Sequence, residues 1–359
     1  MRLISADSHV NEPPDLWVDR VPATLKERAP RIERFEEGDA WVIEGVKDPI
    51  NFGMNACAGL APEDMKGWVR YEELRAGGHD PAARLQEMDT DGVDAEVLYP
   101  TPRLSQAIFA NRDVDYHVAM IRAYNDWLAD YVVYAPARFG GLIMLPNCGA
   151  EAAVAELERN LGRPGIRGGV IGCWPNGTLS LEPEDDKLFA RFAEAGLPLN
   201  IHVSLSTSMP AAHKAKLPGY GRFYDAPNRM IEMIFAGVFD RLPELQVVFA
   251  ETDCGWVPYV KEQIDNNYSR LDPVSHFGLH LLPSEYIERH FSYGFMTDTF
   301  AVRNREYIGV DRMLWSTDYP HISSDYPNSW RTIQAAFSGV PTAEKDQMLH
   351  GNAERLYGF

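Results

Sequence analysis

The stretch LISADSHVNE, at residues 3–12, decides how the rest of the chain is interpreted. Its apolar beginning predicts a β-strand, and Asp7 and His9 stand at alternate positions where that strand ends. Because alternate residues of a strand point to the same face, the two side chains converge on one point. Carboxylates and neutral imidazoles are usual ligands of zinc, manganese and iron. The pair could equally cap a turn or hydrogen-bond to each other, so the other strands must decide between a metal site and a local structural role.

Composition limits the classes of function. A length of 359 residues fits a single β/α barrel with an insertion. The formal net charge of −18 argues against nucleic acid or an anionic membrane as partner, because phosphates would be repelled over most of the surface. The four cysteines are widely spaced and form no C-x-x-C pair, which indicates neither a zinc knuckle nor a disulfide framework. With no signal-peptide pattern and no long apolar run, we expect a cytoplasmic protein.

Strands and helices alternate along most of the chain. Eight strands are predicted, at 3–6, 95–99, 139–145, 166–174, 198–203, 245–251, 291–296 and 312–317. Helices are predicted at 81–91, 114–133, 150–161, 185–195 and 227–239, with a closing helix and tail at 343–359. Because a right-handed crossover returns the chain to the same end of the sheet, such units pair in parallel. We therefore predict one domain over residues 1–359, a (β/α)8 TIM barrel whose active site lies at the carboxyl ends of its strands.

A long insertion, residues 13–80, follows the first predicted strand. Its prolines, glycines and scattered aromatic residues indicate short irregular elements rather than a separate domain. An insertion at this point would sit over the C-terminal mouth of the barrel, where it can act as a lid or a substrate-binding wall. The alternative is that it packs on the side of the barrel.

Polar residues stand at the ends of three further predicted strands. His202 ends the fifth strand, Glu251 ends the sixth, and Asp318 ends the eighth with His321 just beyond it. In a barrel these side chains surround one axis together with the pair on the first strand, which favours a metal site over separate structural roles. Glu12 adds a carboxylate near the same mouth, or forms a salt bridge in the turn. The predicted metal ligands are Asp7, His9, Glu12, His202, Glu251 and Asp318.

Five segments carry a resemblance to a known family. They are ISADSHVNEP at 4–13, NIHVS at 200–204, VVFAETDCGW at 247–256, LWSTDYPH at 314–321 and GNAERLYGF at 351–359. In combination they resemble the amidohydrolase superfamily, in particular the amidohydrolase 2 branch that includes aminocarboxymuconate-semialdehyde, resorcylate and carboxyvanillate decarboxylases. The resemblance implies a metal-dependent TIM barrel in which His9, His202 and Asp318 are metal ligands. Asp7 stands where relatives carry an Asp or Glu.

Two positions depart from the pattern of that family. Asn11 stands where many relatives have a second histidine, two residues after the first. Glu251 stands where the decarboxylases carry a general acid/base histidine at the end of the sixth strand. A carboxylate at this position can move a proton, and it can also bind or bridge metal ions.

Two mechanisms fit this set of residues. In the first, one zinc or manganese ion supports hydrolysis or non-oxidative decarboxylation of a small organic acid, amide or ester. Asp318 or Glu251 then moves the proton, while His321 orients it or contacts the substrate. In the alternative, the excess of carboxylates favours two irons bridged by Glu251 and an oxygen-dependent monooxygenase. A barrel that only binds its ligand ranks last, because candidate metal ligands are present.

Three residues are predicted to contact a small-molecule substrate. Arg103 follows the second strand and can bind a carboxylate, although an arginine in an exposed loop is usually solvated. Trp174 and Trp256 follow the fourth and sixth strands and can wall an apolar pocket, or pack a helix against the barrel. A homodimer is compatible with a barrel of this size.

Overall fold

A computed structural model describes residues 2–211 and 224–359. Its strands are β1 Ile4–His9, β2 Arg31–Arg34, β3 Asp39–Val42, β4 Ile50–Asn51, β5 Ala95–Tyr99, β6 Phe139–Met144, β7 Ile166–Ile171, β8 Leu199–His202, β9 Val247–Ala250, β10 Phe291–Phe295 and β11 Met313–Trp315. Eight of them, β1 and β5–β11, form one parallel sheet in chain order, which confirms the predicted barrel strands.

Backbone hydrogen bonds close this sheet into a barrel. The peptide N–H of Asp318 donates to the carbonyl of Asp7 at 2.9 Å, and the N–H of His9 donates to the carbonyl of Tyr319 at 2.6 Å. These bonds join the end of β1 to the chain that follows β11. The fold is a TIM barrel, as predicted from the alternation of strands and helices.

The helices lie between the strands and after the last of them. They are α1 Leu16–Arg20, α2 Pro81–Asp91, α3 Pro102–Ala110, α4 Val114–Val132, α5 Ala150–Asn160, α6 Asp186–Ala195, α7 Asp225–Phe235, α8 Val238–Arg241, α9 Val257–Ser275, α10 Pro283–His290, α11 Thr299–Arg303, α12 Arg305–Ile308, α13 Ser329–Ala336, α14 Thr342–Asp346 and α15 Asn352–Tyr357. None of the helices in the described parts of the chain combines the length and the apolar character that crossing a membrane requires.

The structure corrects one predicted helix and the predicted loop position of Arg103. The predicted helix at 227–239 is two helices, α7 and α8, because Gly237 adopts a left-handed conformation with φ 70° between them. Arg103 lies in α3 rather than in a loop, since Pro102 occupies the first position of that helix, where its missing N–H costs nothing.

The insertion contacts both the side and the mouth of the barrel. On the side, the indole N–H of Trp17 donates to the carbonyl of Met120 in α4 at 3.0 Å. At the mouth, the N–H of Ala58 donates to the carbonyl of Pro320 at 3.0 Å, and the N–H of Ile322 donates to the carbonyl of Met54 at 2.9 Å. Strands β2–β4 form a small antiparallel sheet within the insertion. A lid that opens and closes stays a prediction.

A polar contact inside the barrel ties the closing helix to the strands. The hydroxyl groups of Tyr99 and Tyr357 both donate to Oδ1 of Asn200, at 3.0 and 2.7 Å. The amide nitrogen of Asn200 donates in turn to the carbonyls of Gly169 and Pro198. All three side chains are buried, so the interior is filled at this level and the space for a ligand lies above it, at the strand ends.

Candidate metal centre

Six side chains from the ends of four barrel strands meet at one point. They fall into two overlapping groups of four whose potential ligand atoms all lie within 4.8 Å of one another: Asp7, His9, His202 and Glu251, and His9, Glu251, Asp318 and His321. Five of these residues belong to the predicted ligand set. The barrel therefore brings together the strand-end residues that the sequence singled out.

The ring of His9 is oriented by the backbone. Its Nδ1 lies 3.0 Å from the carbonyl oxygen of Pro100, which can only accept, so Nδ1 carries the proton. The lone pair of Nε2 then faces the cluster, at 3.3 Å from both Asp7 Oδ1 and Asp318 Oδ1. A histidine whose other ring nitrogen donates to a carbonyl is the usual arrangement of a metal ligand.

Several buried polar atoms of this cluster have no hydrogen-bond partner in the described chain. They are both carboxylate oxygens of Asp7, Nε2 of His9 and Nε2 of His202. An unsatisfied buried polar group costs roughly 1–3 kcal/mol, and more when it is charged. Nitrogen and carboxylate oxygen atoms that share one buried point form a donor set suited to zinc, manganese or iron. The residues present can therefore hold a divalent metal ion.

The charges of the cluster fit this role. Burial raises the pKa of the Asp318 carboxyl, but the neighbouring rings of His321 and His9 outweigh burial and hold that pKa well below its usual range. Burial lowers the pKa of His9, but its contacts with Asp318 and Asp7 outweigh this and raise it to about 10, so without a metal ion Nε2 carries a proton at neutral pH. A bound metal ion would replace that proton, because a histidine ligand must be deprotonated at the coordinating nitrogen. Asp7 likewise has a lowered pKa, because His202 and His9 outweigh its burial. These carboxylates are ionised at neutral pH and favour a cation between them.

His321 and Ser323 hold Asp318 from two sides. Nδ1 of His321 lies 2.8 Å from Asp318 Oδ1, and the hydroxyl of Ser323 donates to Asp318 Oδ2. The His321 ring stacks on His9 with centroids 3.9 Å apart. Burial lowers the pKa of His321, so the ring is neutral and donates through Nδ1. That His321 orients Asp318 stays a prediction, which this contact supports.

Two acidic residues of the cluster have left-handed backbone conformations. Glu251, directly after β9, has φ 54°, and Asp318, three residues after the end of β11, has φ 52°. A non-glycine residue in this region costs of order 1–3 kcal/mol and is retained where the surrounding structure imposes it. Such strain concentrates at functional sites, which supports a functional role for these strand ends.

Glu12 belongs to neither group of potential ligands. Its side chain is buried, and Oε1 accepts a hydrogen bond from the peptide N–H of Thr101 at 3.0 Å. The sequence placed Glu12 near the mouth of the barrel but could not show that its carboxylate contacts the backbone of Thr101. Its contact with Thr101 also differs from the salt bridge offered as the alternative.

A cavity of about 260 Å³ opens beside His202. Tyr99, Phe109 and Ile171 contribute apolar surface to it, and Arg103 and Gln106 of α3 contribute polar groups. The cavity combines apolar walls with a few polar groups, as small-molecule sites do.

Of the three predicted substrate contacts, Arg103 lines this cavity. One Nη atom of Arg103 donates to the carbonyl of Ala211 at 3.0 Å. Burial lowers the pKa of Arg103, and the charge of Asp48 partly offsets this. Among the residues of 2–211 and 224–359, neither Trp174 nor Trp256 lines the cavity.

The two tryptophans pack in the way that the alternative interpretation describes. Trp174 is fully buried and meets Phe189 of α6 edge to face, at a centroid distance of 6.0 Å. Trp256 donates its indole N–H to the carbonyl of Thr252 and meets Tyr293 of β10 edge to face. Both connect helices to the barrel.

Ser323 and the carbonyl of Pro100 are not among the residues predicted from the sequence. Ser323 had a weak signal, since it follows His321 closely at the same strand end. The Pro100 carbonyl had none, because a backbone acceptor leaves no trace in the residue types.

Comparison with known proteins agrees with this geometry. A family model described as amidohydrolase matches residues 6–359. The 2-amino-3-carboxymuconate-6-semialdehyde decarboxylase of Dictyostelium discoideum is 27% identical over 300 residues, which cover 80% of this chain and 79% of that protein. The gamma-resorcylate decarboxylase of a Polaromonas species is 25% identical over 315 residues, 84% of this chain and 93% of that protein.

Solved structures share the fold. An amidohydrolase from Mycobacterium avium subsp. paratuberculosis matches with a TM-score of 0.78 and 22% identity, covering 100% of this chain and 98% of that one. A dihydroxybenzoic acid decarboxylase from a Polaromonas species, crystallised with bound manganese and an inhibitor, matches with a TM-score of 0.65 and 17% identity, covering 99% and 97% of the two chains.

Fold and site together define a TIM-barrel enzyme with a carboxylate and histidine cluster able to hold a divalent metal ion. The chain belongs to the amidohydrolase family. The relatives support the hydrolase or decarboxylase interpretation over the iron-dependent oxygenase.

Proposed function

We propose that the protein is a metal-dependent lyase that removes carbon dioxide from a small hydroxylated aromatic acid without oxidation. The observation that carries this proposal is the set of buried potential metal-ligand atoms without hydrogen-bond partners. One of these residues, His202, also lines the cavity of about 260 Å³, so the cluster and the cavity adjoin. The gamma-resorcylate decarboxylase relative, which is similar over most of both chains, supports decarboxylation over hydrolysis.

The ligands in this proposal are Asp7, His9, His202 and Asp318. A divalent metal ion held there supplies Lewis-acid polarisation of the substrate oxygen atoms. Asp7 and Asp318 are buried and ionised, so they bring negative charge to the site. His321 and Ser323 keep Asp318 in position.

Glu251 is the proton donor in this proposal. Oε2 of Glu251 lies 3.3 Å from Nε2 of His202, and the Glu251 side chain is 15% exposed. His202 lines the cavity, so Glu251 lies close to it. The carboxyl group of Glu251 gives a proton to the ring carbon that bears the substrate carboxylate. The bond between that carbon and the carboxylate breaks, its electron pair restores the aromatic ring, and carbon dioxide leaves. Glu251 then regains a proton from solvent.

Arg103 binds a second acidic or phenolic oxygen of the substrate. It lines the same cavity as His202, and its partly buried guanidinium can form paired hydrogen bonds with a carboxylate. Phe109 and Ile171 contact the faces of the aromatic ring and limit the access of water.

The insertion and the assembly state complete the proposal. Residues 54–58 of the insertion contact the loop that carries Asp318. The negative charge of Asp48, also in the insertion, raises the pKa of Arg103 against the effect of burial. Both contacts support an insertion that closes over the cavity. A homodimer is the proposed assembly, and light scattering coupled to size exclusion tests it.

Metal analysis combined with an activity screen tests the function. Protein purified without added metal is examined for metal content, and hydroxylated benzoic acids are assayed for carbon dioxide release. We expect about one manganese or zinc per chain, and activity that a chelator removes and Mn²⁺ restores. Two irons per chain, with an absorption band that appears in air, would contradict the proposal and favour the oxygenase.

A further inference from the structure

Glu12 is buried close to the metal centre without belonging to it. Its side chain lies in the segment that continues β1, three residues beyond His9. Oε1 accepts the peptide N–H of Thr101 at 3.0 Å, while Oε2 is buried without a hydrogen-bond partner in the described chain. A buried carboxyl group with a single backbone partner needs an explanation, because its burial is costly.

Thr101 offers that explanation. It is the residue before α3, a position where a threonine side chain normally caps its own helix. Here the side chain forms no cap, and its hydroxyl donates instead to the carbonyl of Val10 at 2.9 Å. The N–H of Val10 donates to the carbonyl of Tyr99 at 3.2 Å. Thr101 is therefore tied to the end of β1 by its backbone through Glu12 and by its side chain through Val10.

Pro100 stands between Tyr99 and Thr101, the two residues that these hydrogen bonds hold. Its carbonyl accepts a hydrogen bond from Nδ1 of His9 at 3.0 Å. This carbonyl fixes which nitrogen of His9 carries the proton and which nitrogen faces the cluster. If Thr101 were released, the carbonyl of Pro100 could rotate away from the ring.

We infer that Glu12 and Thr101 form a clamp that holds the Pro100 carbonyl against His9, so that Glu12 is a positioning residue of the metal centre rather than one of its ligands. The inference rests on the proposed metal site. The same clamp fixes the start of α3, which carries Arg103 and Gln106 to the cavity.

The test measures metal affinity rather than activity. Metal-stripped protein is titrated with Mn²⁺ in competition with a chelating dye. Replacing Glu12→Ala removes the acceptor for the Thr101 N–H, and we expect Mn²⁺ to bind about tenfold more weakly, at the low end of the range for partners that orient metal ligands. Glu12→Gln keeps an oxygen acceptor without charge, and we expect it to bind Mn²⁺ nearly as well as the unmodified chain.

Two further variants separate the clamp from general destabilisation. Asn352→Ala removes a buried side chain that donates to the carbonyls of Val310 and Met313, where β11 begins at the opposite end of the barrel. We expect a lower melting temperature and unchanged Mn²⁺ affinity. Thr101→Val keeps the N–H that Glu12 accepts but removes the bond to Val10, and we expect weaker Mn²⁺ binding with the fold retained.

The outcomes are distinct. Unchanged Mn²⁺ affinity in Glu12→Ala would overturn the clamp. An equal loss of Mn²⁺ affinity in Glu12→Gln and Glu12→Ala would also overturn it, because it would identify the carboxylate of Glu12 as a metal ligand. If Glu12→Ala does not fold, unchanged affinity in Thr101→Val overturns the clamp and weaker binding supports it. An unmodified chain that fails to bind Mn²⁺ would overturn both the clamp and the proposed function.

Discussion

The peptide N–H of Asp318 donates a hydrogen bond of 2.9 Å to the backbone carbonyl of Asp7. This bond lies where the barrel closes, so backbone pairing rather than side-chain packing brings the two carboxylates together. Both carboxylates lie 3.3 Å from Nε2 of His9. Substituting either side chain leaves the backbone bond intact, and we expect such variants to fold.

Glu251→Gln tests whether Glu251 moves a proton or holds metal. The amide keeps the size of the side chain but cannot deliver the proton, and general acid catalysis contributes roughly 10²–10⁴-fold to a rate. We expect carbon dioxide release to fall within that range while about one metal ion per chain is retained. The matched control is Asp318→Asn, which removes a proposed ligand charge and is expected to lose the metal. Loss of metal in Glu251→Gln would show that Glu251 is a ligand.

Arg103→Ala tests substrate recognition at the cavity. A hydrogen bond to a charged group contributes roughly 1.5–3 kcal/mol, which corresponds to about a 10- to 100-fold increase in KM. We expect the effect for aromatic acids with a second acidic or phenolic group, and little effect for those without one. Arg103→Lys keeps the charge but cannot form the paired hydrogen bonds of a guanidinium. We expect its KM to lie between those of the unmodified protein and Arg103→Ala. An equal loss for both groups of substrates would argue against direct contact.

The barrel and most of its site could be predicted because they depend on short-range patterns. Apolar runs that end in a polar residue mark β1, β8, β9 and β11, and the parallel topology then places Asp7, His202, Glu251 and Asp318 at one end. The helix α9 could not be predicted. Of its nineteen residues only Val257 is buried, so the apolar stripe that reveals an amphipathic helix is missing.

Glu12 shows where sequence patterns stop being informative. Residues beyond a strand end no longer follow its alternation, so the direction of the Glu12 side chain depends on the turn, on Thr101 and on the insertion. Trp174 was ambiguous for a related reason. Its position after a strand fits a pocket wall and a helix contact equally, and only its packing against Phe189 distinguishes the two.

Arg84→Met tests a buried ion pair next to the metal centre. Nε of Arg84 donates to Glu96 at 2.6 Å, and one Nη atom donates to the carbonyl of His9 at 2.9 Å. Removing the arginine leaves Glu96 buried without its counter-charge, and we expect a loss of about 3–5 kcal/mol in the free energy of unfolding by urea. The double variant Arg84→Met with Glu96→Leu should recover much of this loss. An equally unstable double variant would locate the cost in packing instead.

His117 provides a prediction for the dependence of stability on pH. Its Nδ1 donates to the carbonyl of Ile108 at 2.8 Å, and its Nε2 accepts the N–H of Asn147 at 3.0 Å, so both ring nitrogens are used by the neutral form. Burial lowers the pKa of His117 below its usual value. The unfolded chain therefore binds a proton at a higher pH than the folded chain does, and stability falls as the pH drops below about 6.5.

The control for His117 is a side chain that does not titrate. Glutamine offers both an N–H donor and an oxygen acceptor, so His117→Gln can keep one hydrogen bond on each side. We expect the urea midpoint of the unmodified protein to fall more between pH 7.5 and pH 5 than that of His117→Gln, with both measured in the presence of a chelator. His290 has a pKa lowered by burial as well, so the variant retains part of the dependence. Identical pH profiles would mean that His117 contributes nothing to acid sensitivity.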